Sequence, residues 1–328
     1  MYTLTVDAFP HLSVNVFLLV VGDPGAPTYT ALVDTGSSLP GSTDGLTAGL
    51  AAIRDGWGEA WSWDTLSRVV VSHAHPGPCR RTALRAEPDG RPGGRAPAGR
   101  ADPSGPGGGT RRRRPEVEGV LAWAGIGGEY AARMRRRAHN LMLPGGVTVD
   151  TPLTGGERLD GHFQVIHTPG HAAGQVCLRV DDVLLSADHL LPQNSPPLMP
   201  ERAQPWGGLS HYLASLGRIE GLEGVTVALG GHGGPMPDWR GRIRALRERY
   251  ADKLRAVLEA ADEPLTVHDL TLRLFPRLGR VQALLLLDQT GALVEYLVGR
   301  GELEEQTGAP TAQGPRPSLF RRAVRVKG

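Results

Sequence analysis

Val14–Val21 is apolar at nearly every position and Thr28–Val33 is rich in β-branched residues, with Gly22-Asp23-Pro24-Gly25 between them. Two such runs divided by turn residues predict a β-hairpin. Thr47–Arg54 carries apolar residues at helical spacing, and Arg68–Ser72 reads as a short, fully buried strand ending at His73. Helical spacing returns at Val117–Trp123 and Tyr130–His139, and strand-like runs follow at Phe163–His167, Gln175–Val180, Val183–Ser186 and Val225–Leu229.

Trp239–Ala261 reads as one amphipathic connector helix, with Ile243, Leu246, Tyr250, Leu254 and Val257 three or four apart. Thr266–Leu274, Val281–Leu287 and Leu293–Gly299 predict three short helices, and Gly299-Arg300-Gly301-Glu302-Leu303 the start of a wing. Beyond Gln306 the Pro/Gly-rich, basic tail is expected to be disordered.

One stretch breaks the pattern. From Gly77 to Arg114 the chain is nearly all Arg, Gly, Pro and Ala, with Leu84 its one large aliphatic residue. Such a composition cannot bury a core. Arg111–Arg114 within it reads as solvated charge rather than as a nucleic-acid patch.

At 328 residues the chain is long enough for two units. Its 36 Lys+Arg against 34 Asp+Glu leave a formal net charge of +2, which does not point to a nucleic-acid partner. The start has no basic segment before its apolar run, so no signal peptide is expected, and no stretch is long enough to span a bilayer. With only Cys79 and Cys177, a disulfide framework is not expected and a cytoplasmic setting is.

Five polar groups stand where predicted strands end: His73 and His75 after Val71, His171 in Thr168-Pro169-Gly170-His171, Asp188 in Ser186-Ala187-Asp188, and His232 in Gly230-Gly231-His232. Loops at one edge of a sheet can converge on a point, and imidazole with carboxylate is a ligand set that zinc favours. His-x-His after a buried strand puts both rings on the same side of an extended segment. A lone histidine is more often a packed or surface residue than a ligand, so the signal is the ordered set.

These segments, with Leu32-Val33-Asp34-Thr35-Gly36, resemble the metallo-β-lactamase superfamily over about Tyr2–Arg240. The resemblance implies an α/β fold, an αββα sandwich over residues 1–240, here followed by the connector helix (241–261), a small winged-helix-like unit (262–308) and the tail (309–328). It implies that His73, His75 and His171 hold one Zn2+, that Asp188 bridges to a second as the catalytic carboxylate, and that His232 helps hold the second. Metal-bound hydroxide then attacks a thioester, ester, lactone or phosphodiester of a small-molecule substrate. Asp34 is expected behind the ligands, orienting one of them or a loop, and Gln193–Trp206 is expected to form part of the substrate wall.

The family pattern His-x-His-x-Asp-His is broken here, because Gly77 and Pro78 follow His73-Ala74-His75-Pro76. One Zn2+ rather than two, and an impaired site, are the expectation. The genetic code offers a cause: His75-Pro76-Gly77-Pro78-Cys79-Arg80 can be encoded so that loss of one G reads His-Pro-Asp-His-Ala-Gly. An Arg/Gly/Pro/Ala run is also typical of GC-rich DNA read out of frame, so a frameshift near Gly77, compensated near Arg114, is expected.

Two rival readings stand beside this one. Asp34-Thr35-Gly36 resembles the aspartic-protease segment, but that mechanism needs a second such carboxylate motif and the chain has none. The C-terminal unit suggests ribonuclease-type nucleic-acid binding, yet Leu284–Leu287 and Leu293–Leu297 with few Lys or Arg nearby favour packing or a homodimer contact.

Overall fold

A computed structural model of the chain describes residues 1–37, 39–74, 98–101, 114–140, 149–277, 286–307 and 316–324. Strand β1 (Tyr2–Phe9) pairs antiparallel with β2 (Leu12–Asp23), and β2 with β3 (Ala26–Val33), the turn falling at Pro24–Gly25. Gly22 sits at the register shift with φ 98, a conformation open to glycine without strain. Helix α1 (Pro40–Trp57) follows, and β4 (Arg68–Val71), β5 (Ala98–Ala101) and β6 (Thr151–Leu153) extend the sheet by parallel pairing to the order β1-β2-β3-β4-β5-β6. The second sheet is β11-β10-β9-β8-β7, from β7 (Arg158–Leu159), β8 (Phe163–His167), β9 (Val176–Val180), β10 (Val183–Ala187) and β11 (Val227–Gly230).

Side chains of one strand divide between two cores, as the period of two demands. Phe17, Leu19, Ala31 and Val33 join Phe163, Val165, Leu178 and Leu185 between the sheets. Val16, Leu18 and Leu32 turn the other way onto Leu46, Leu50 and Ile53 of α1. Burial on both faces is why β2 reads as apolar from Val14 to Val21 with Asn15 its one polar break.

Beyond the outer face of the second sheet lie α2 (Arg114–Trp123), α3 (Gly128–Asn140), α4 (Gly208–Glu220), α5 (Trp239–Ala260), α6 (Val267–Leu274) and α7 (Leu287–Gly299). One cluster of buried residues runs from Cys177, Leu184 and Ala228 on the sheet through Leu216, Tyr250 and Leu270 to Leu297 and Phe320. The layers are α, β, β, α, as the resemblance implied.

Several expectations are corrected. Ala98–Ala101, inside the Arg/Gly/Pro/Ala run, forms β5 between β4 and β6, so these four residues take regular structure. Backbone pairing on both sides needs no large side chain. Residues 309–328 are not wholly a disordered tail, because β13 (Ser318–Arg322) pairs antiparallel with β12 (Leu303–Thr307) and buries Phe320.

Leu293–Gly299 is the end of a longer helix, α7, while residues 281–285 of the expected Val281–Leu287 helix lie outside the described residues. The α5 helix is more than a connector, since Ile243, Leu246, Tyr250 and Val257 sit inside the core. Leu293, Val294 and Leu297, read as apolar surface for a second copy, are buried within this chain.

Candidate metal centre

Four chain segments leave the sheets at one edge and bring His73, His171, Asp188 and His232 together. His73 follows β4, His171 the β8 exit, Asp188 the end of β10 and His232 the end of β11. The Nε2 atoms of His73 and His171 lie 3.6 and 3.7 Å from Asp188 Oδ2, and His232 Nε2 lies 3.4 Å from Asp188 Oδ1. One carboxylate thus faces two imidazoles with one oxygen and a third with the other. Among the described residues, ligand atoms of His73, His171 and Asp188 all fall within 4.8 Å of one another. His75 lies outside the described residues.

The other nitrogen of each ring points away and is held. His171 Nδ1 is 2.7 Å from the Pro197 carbonyl oxygen and His232 Nδ1 is 2.7 Å from that of Ser13, so each Nδ1–H donates outward and each Nε2 faces the carboxylate, where it offers a lone pair when the ring is neutral. His73 Nδ1 lies 3.0 Å from Ser72 Oγ, which donates to Asp34 Oδ2 at 2.8 Å and so accepts from the ring. The Ser72 backbone N–H donates to Asp34 Oδ1 at 2.8 Å. Asp34 therefore acts through Ser72 on His73. With both oxygens occupied by Ser72, it is not set up as a protease carboxylate.

This donor set fits a divalent cation. Three imidazoles are fixed in the tautomer a metal needs, and an anionic oxygen stands between them. Burial holds the His73 imidazole down to about 4, against the pull of Asp188, so it stays neutral near pH 7. Burial would raise Asp188, but the bond from His232 and the nearby rings of His73 and His171 outweigh it and hold the carboxyl well below the usual range. For His232 burial acts downward, and the bond to Asp188 prevails and raises it. Burial pushes Asp34 up to about 7, the Ser72 bonds acting the other way.

Backbone geometry sets these positions. Asp34 and Ala187 have φ 61 and 46, left-handed values uncommon for residues with a Cβ, and both sit where a strand turns into the site. Gly231 has no room for a side chain, since a Cβ there would run into Asp188 Oδ1. The Gly230–Gly233 loop is pinned by buried Asn15, whose Nδ2 donates to the carbonyls of Gly230 at 2.9 Å and Gly233 at 2.8 Å.

Asn15 and Ser72 were missed in the sequence. The signal for Asn15 was there, as the one polar residue in Val14–Val21. His189, next to Asp188 in the chain, packs its ring 4.9 Å from that of Tyr212. The cluster opens into a cavity of about 590 Å³, and Gln193, Asn194, Ser195 and Met199 are among the residues that line it.

Comparison with known proteins agrees with this architecture. A family model described as the metallo-beta-lactamase superfamily matches residues 97–267, just over half of the chain. The chain is similar to the crystal structure of a metallo-beta-lactamase family protein from Thermus thermophilus, at 27% identity and a TM-score of 0.73 over 98% of both chains. It also shares the fold of a beta-lactamase domain protein from Burkholderia ambifaria, at 22% identity and a TM-score of 0.71 over 98% of this chain and 91% of that one. No curated protein matches the sequence.

Proposed function

Because the chain belongs to the metallo-beta-lactamase superfamily, we propose that it is a metal-dependent hydrolase with its site at the His73, His171, Asp188 and His232 cluster. The observation that carries this reading is the convergence of three Nε2 atoms on one carboxylate, each ring being tethered outward through Nδ1. His73, His171 and Asp188 would hold one Zn2+ tightly. His232 and the second oxygen of Asp188 alone make a weaker second position, since Gly77 and Pro78 stand where the family pattern has Asp and His. A divalent ion held there lowers the pKa of water and stabilises charge on the attacked oxygen.

The protein's own groups do the rest. Pro197, Ser13 and the Ser72–Asp34 pair fix the rings, and Asp188 supplies the anionic oxygen. The chemistry suits a thioester, ester, lactone or phosphodiester. Among the described residues no helix is long and apolar enough to cross a membrane.

Metal analysis of the full chain, paired with hydrolysis assays before and after dialysis against a chelator, tests the proposal. About one equivalent of zinc and a chelator-sensitive activity are expected. A chain that binds no divalent ion, or whose hydrolysis ignores chelator, overturns it.

A further inference from the structure

The cavity over the cluster is walled by three parts of the chain. The β1–β2 turn contributes Phe9, Leu12 and Val14, the segment after β10 contributes Leu191 and Leu198, and the start of α7 contributes Leu286. The C-terminal unit therefore reaches the same space as His73 and Asp188. Its place there is fixed by α7, whose Leu293, Val294 and Leu297 are buried in the core against the other helices.

Among the described residues that line this space there is no Lys or Arg, and its titratable groups besides the four of the cluster are Asp34 and Asp288. A nucleic-acid strand carries phosphates on both sides of the bond to be cut and needs cations to hold them. A neutral acyl arm needs only apolar wall, of which this cavity has much.

We propose that the substrate is an uncharged ester or thioester whose apolar acyl arm lies between Leu12 and Leu286, so that the C-terminal unit sets the arm's length. This rests on the hydrolase reading and narrows it. Water adds across the acyl C–O or C–S bond: the acyl carbon gains the hydroxyl, and the departing oxygen or sulfur leaves with the proton. The labile bond sits at the polar end with His171 and Asp188, and the arm extends toward α7. A volume of about 590 Å³ is in the range of small-molecule sites and leaves room for several methylenes.

The test is a series of p-nitrophenyl esters from acetyl to octanoyl, with bis(p-nitrophenyl) phosphate beside them, on the metal-loaded full chain. Expected is a rise in kcat/KM of about fourfold per methylene buried, until the cavity is filled. Leu286→Glu, and independently Leu12→Asp at a half-exposed position, should each cut the octanoyl-to-acetyl ratio by about tenfold or more. A flat series, or a phosphodiester preferred over the octanoyl ester, overturns the acyl arm while leaving metal-dependent hydrolysis standing.

If the loaded chain hydrolyses none of these, the hydrolase reading fails, and calorimetry with octanoate and acetate still reads the arm. Tighter binding of octanoate that is lost in Leu12→Asp supports it, and equal affinities overturn it.

Discussion

The two sheets hold their histidines by different means. On the second sheet's side, His171 and His232 are tethered by backbone carbonyls, those of Pro197 and Ser13. On the first sheet's side, His73 depends on the side chains of Ser72 and Asp34. A carbonyl survives any substitution that keeps the fold, whereas a side-chain relay can be lost by one mutation. Under the proposed metal reading the first sheet is also the weaker side, because Gly77 and Pro78 stand where the resemblance leads one to expect Asp and His.

The largest effect should come where the two halves meet. Among the described residues Asp188 faces all three rings, so Asp188→Asn should abolish measurable zinc in metal analysis and lower hydrolysis by more than the roughly 10–100-fold that outer partners cost. Ser72→Ala removes the relay alone and should weaken zinc binding by about 10–100-fold in a competition titration. If it costs nothing, the contrast between the halves fails.

Restoring the weak half should have a smaller effect of opposite sign. The chain carrying Gly77→Asp and Pro78→His should bind close to two equivalents of zinc rather than about one, with faster hydrolysis. If both forms bind two ions and work equally well, the motif break is not a defect. Resequencing the gene from the Gly77 to the Arg114 codons tests its cause, and an unbroken frame as written would refute the frameshift.

The smallest effect is on the pH dependence of the metal-free chain. His73 and His189, held down by burial to about 4 and about 3, stay neutral while unfolded histidines take up protons below about 6.5. Asp34, pushed up to about 7, opposes this, because the folded chain keeps a proton that the unfolded chain releases above about 3.9. His232 is raised and adds to that opposition only near the top of the window. His167 is also held down by burial, so on balance the unfolded state binds more protons, and denaturant melts in chelator should show stability falling as pH drops from about 6 to about 4.5. A stability that rises over this window would sink the reading.

What was legible in the sequence follows from the same contrast. His171, Asp188 and His232 could be found because each sits in a short motif at a strand end, where local pattern and position coincide. The Asp34–Ser72–His73 relay joins residues of two strands, and only the parallel pairing of β3 with β4 brings them together. The cavity wall at Leu286 was invisible because it depends on how α7 docks, not on its own spacing. The strand Ser318–Arg322 was hidden by the Pro- and Arg-rich residues around it, with Leu319 and Phe320 as its large apolar residues.

That last strand bears on how the molecule is made. Phe320 exchanges two backbone hydrogen bonds with Leu265, the Arg322 N–H reaches the Ala261 carbonyl, and the Phe320 ring meets Trp123. During synthesis all four polar groups of the cluster emerge before the strand that clasps the α7 side of the cavity. A nascent chain halted before Ser318 would carry the whole cluster and lack that clasp.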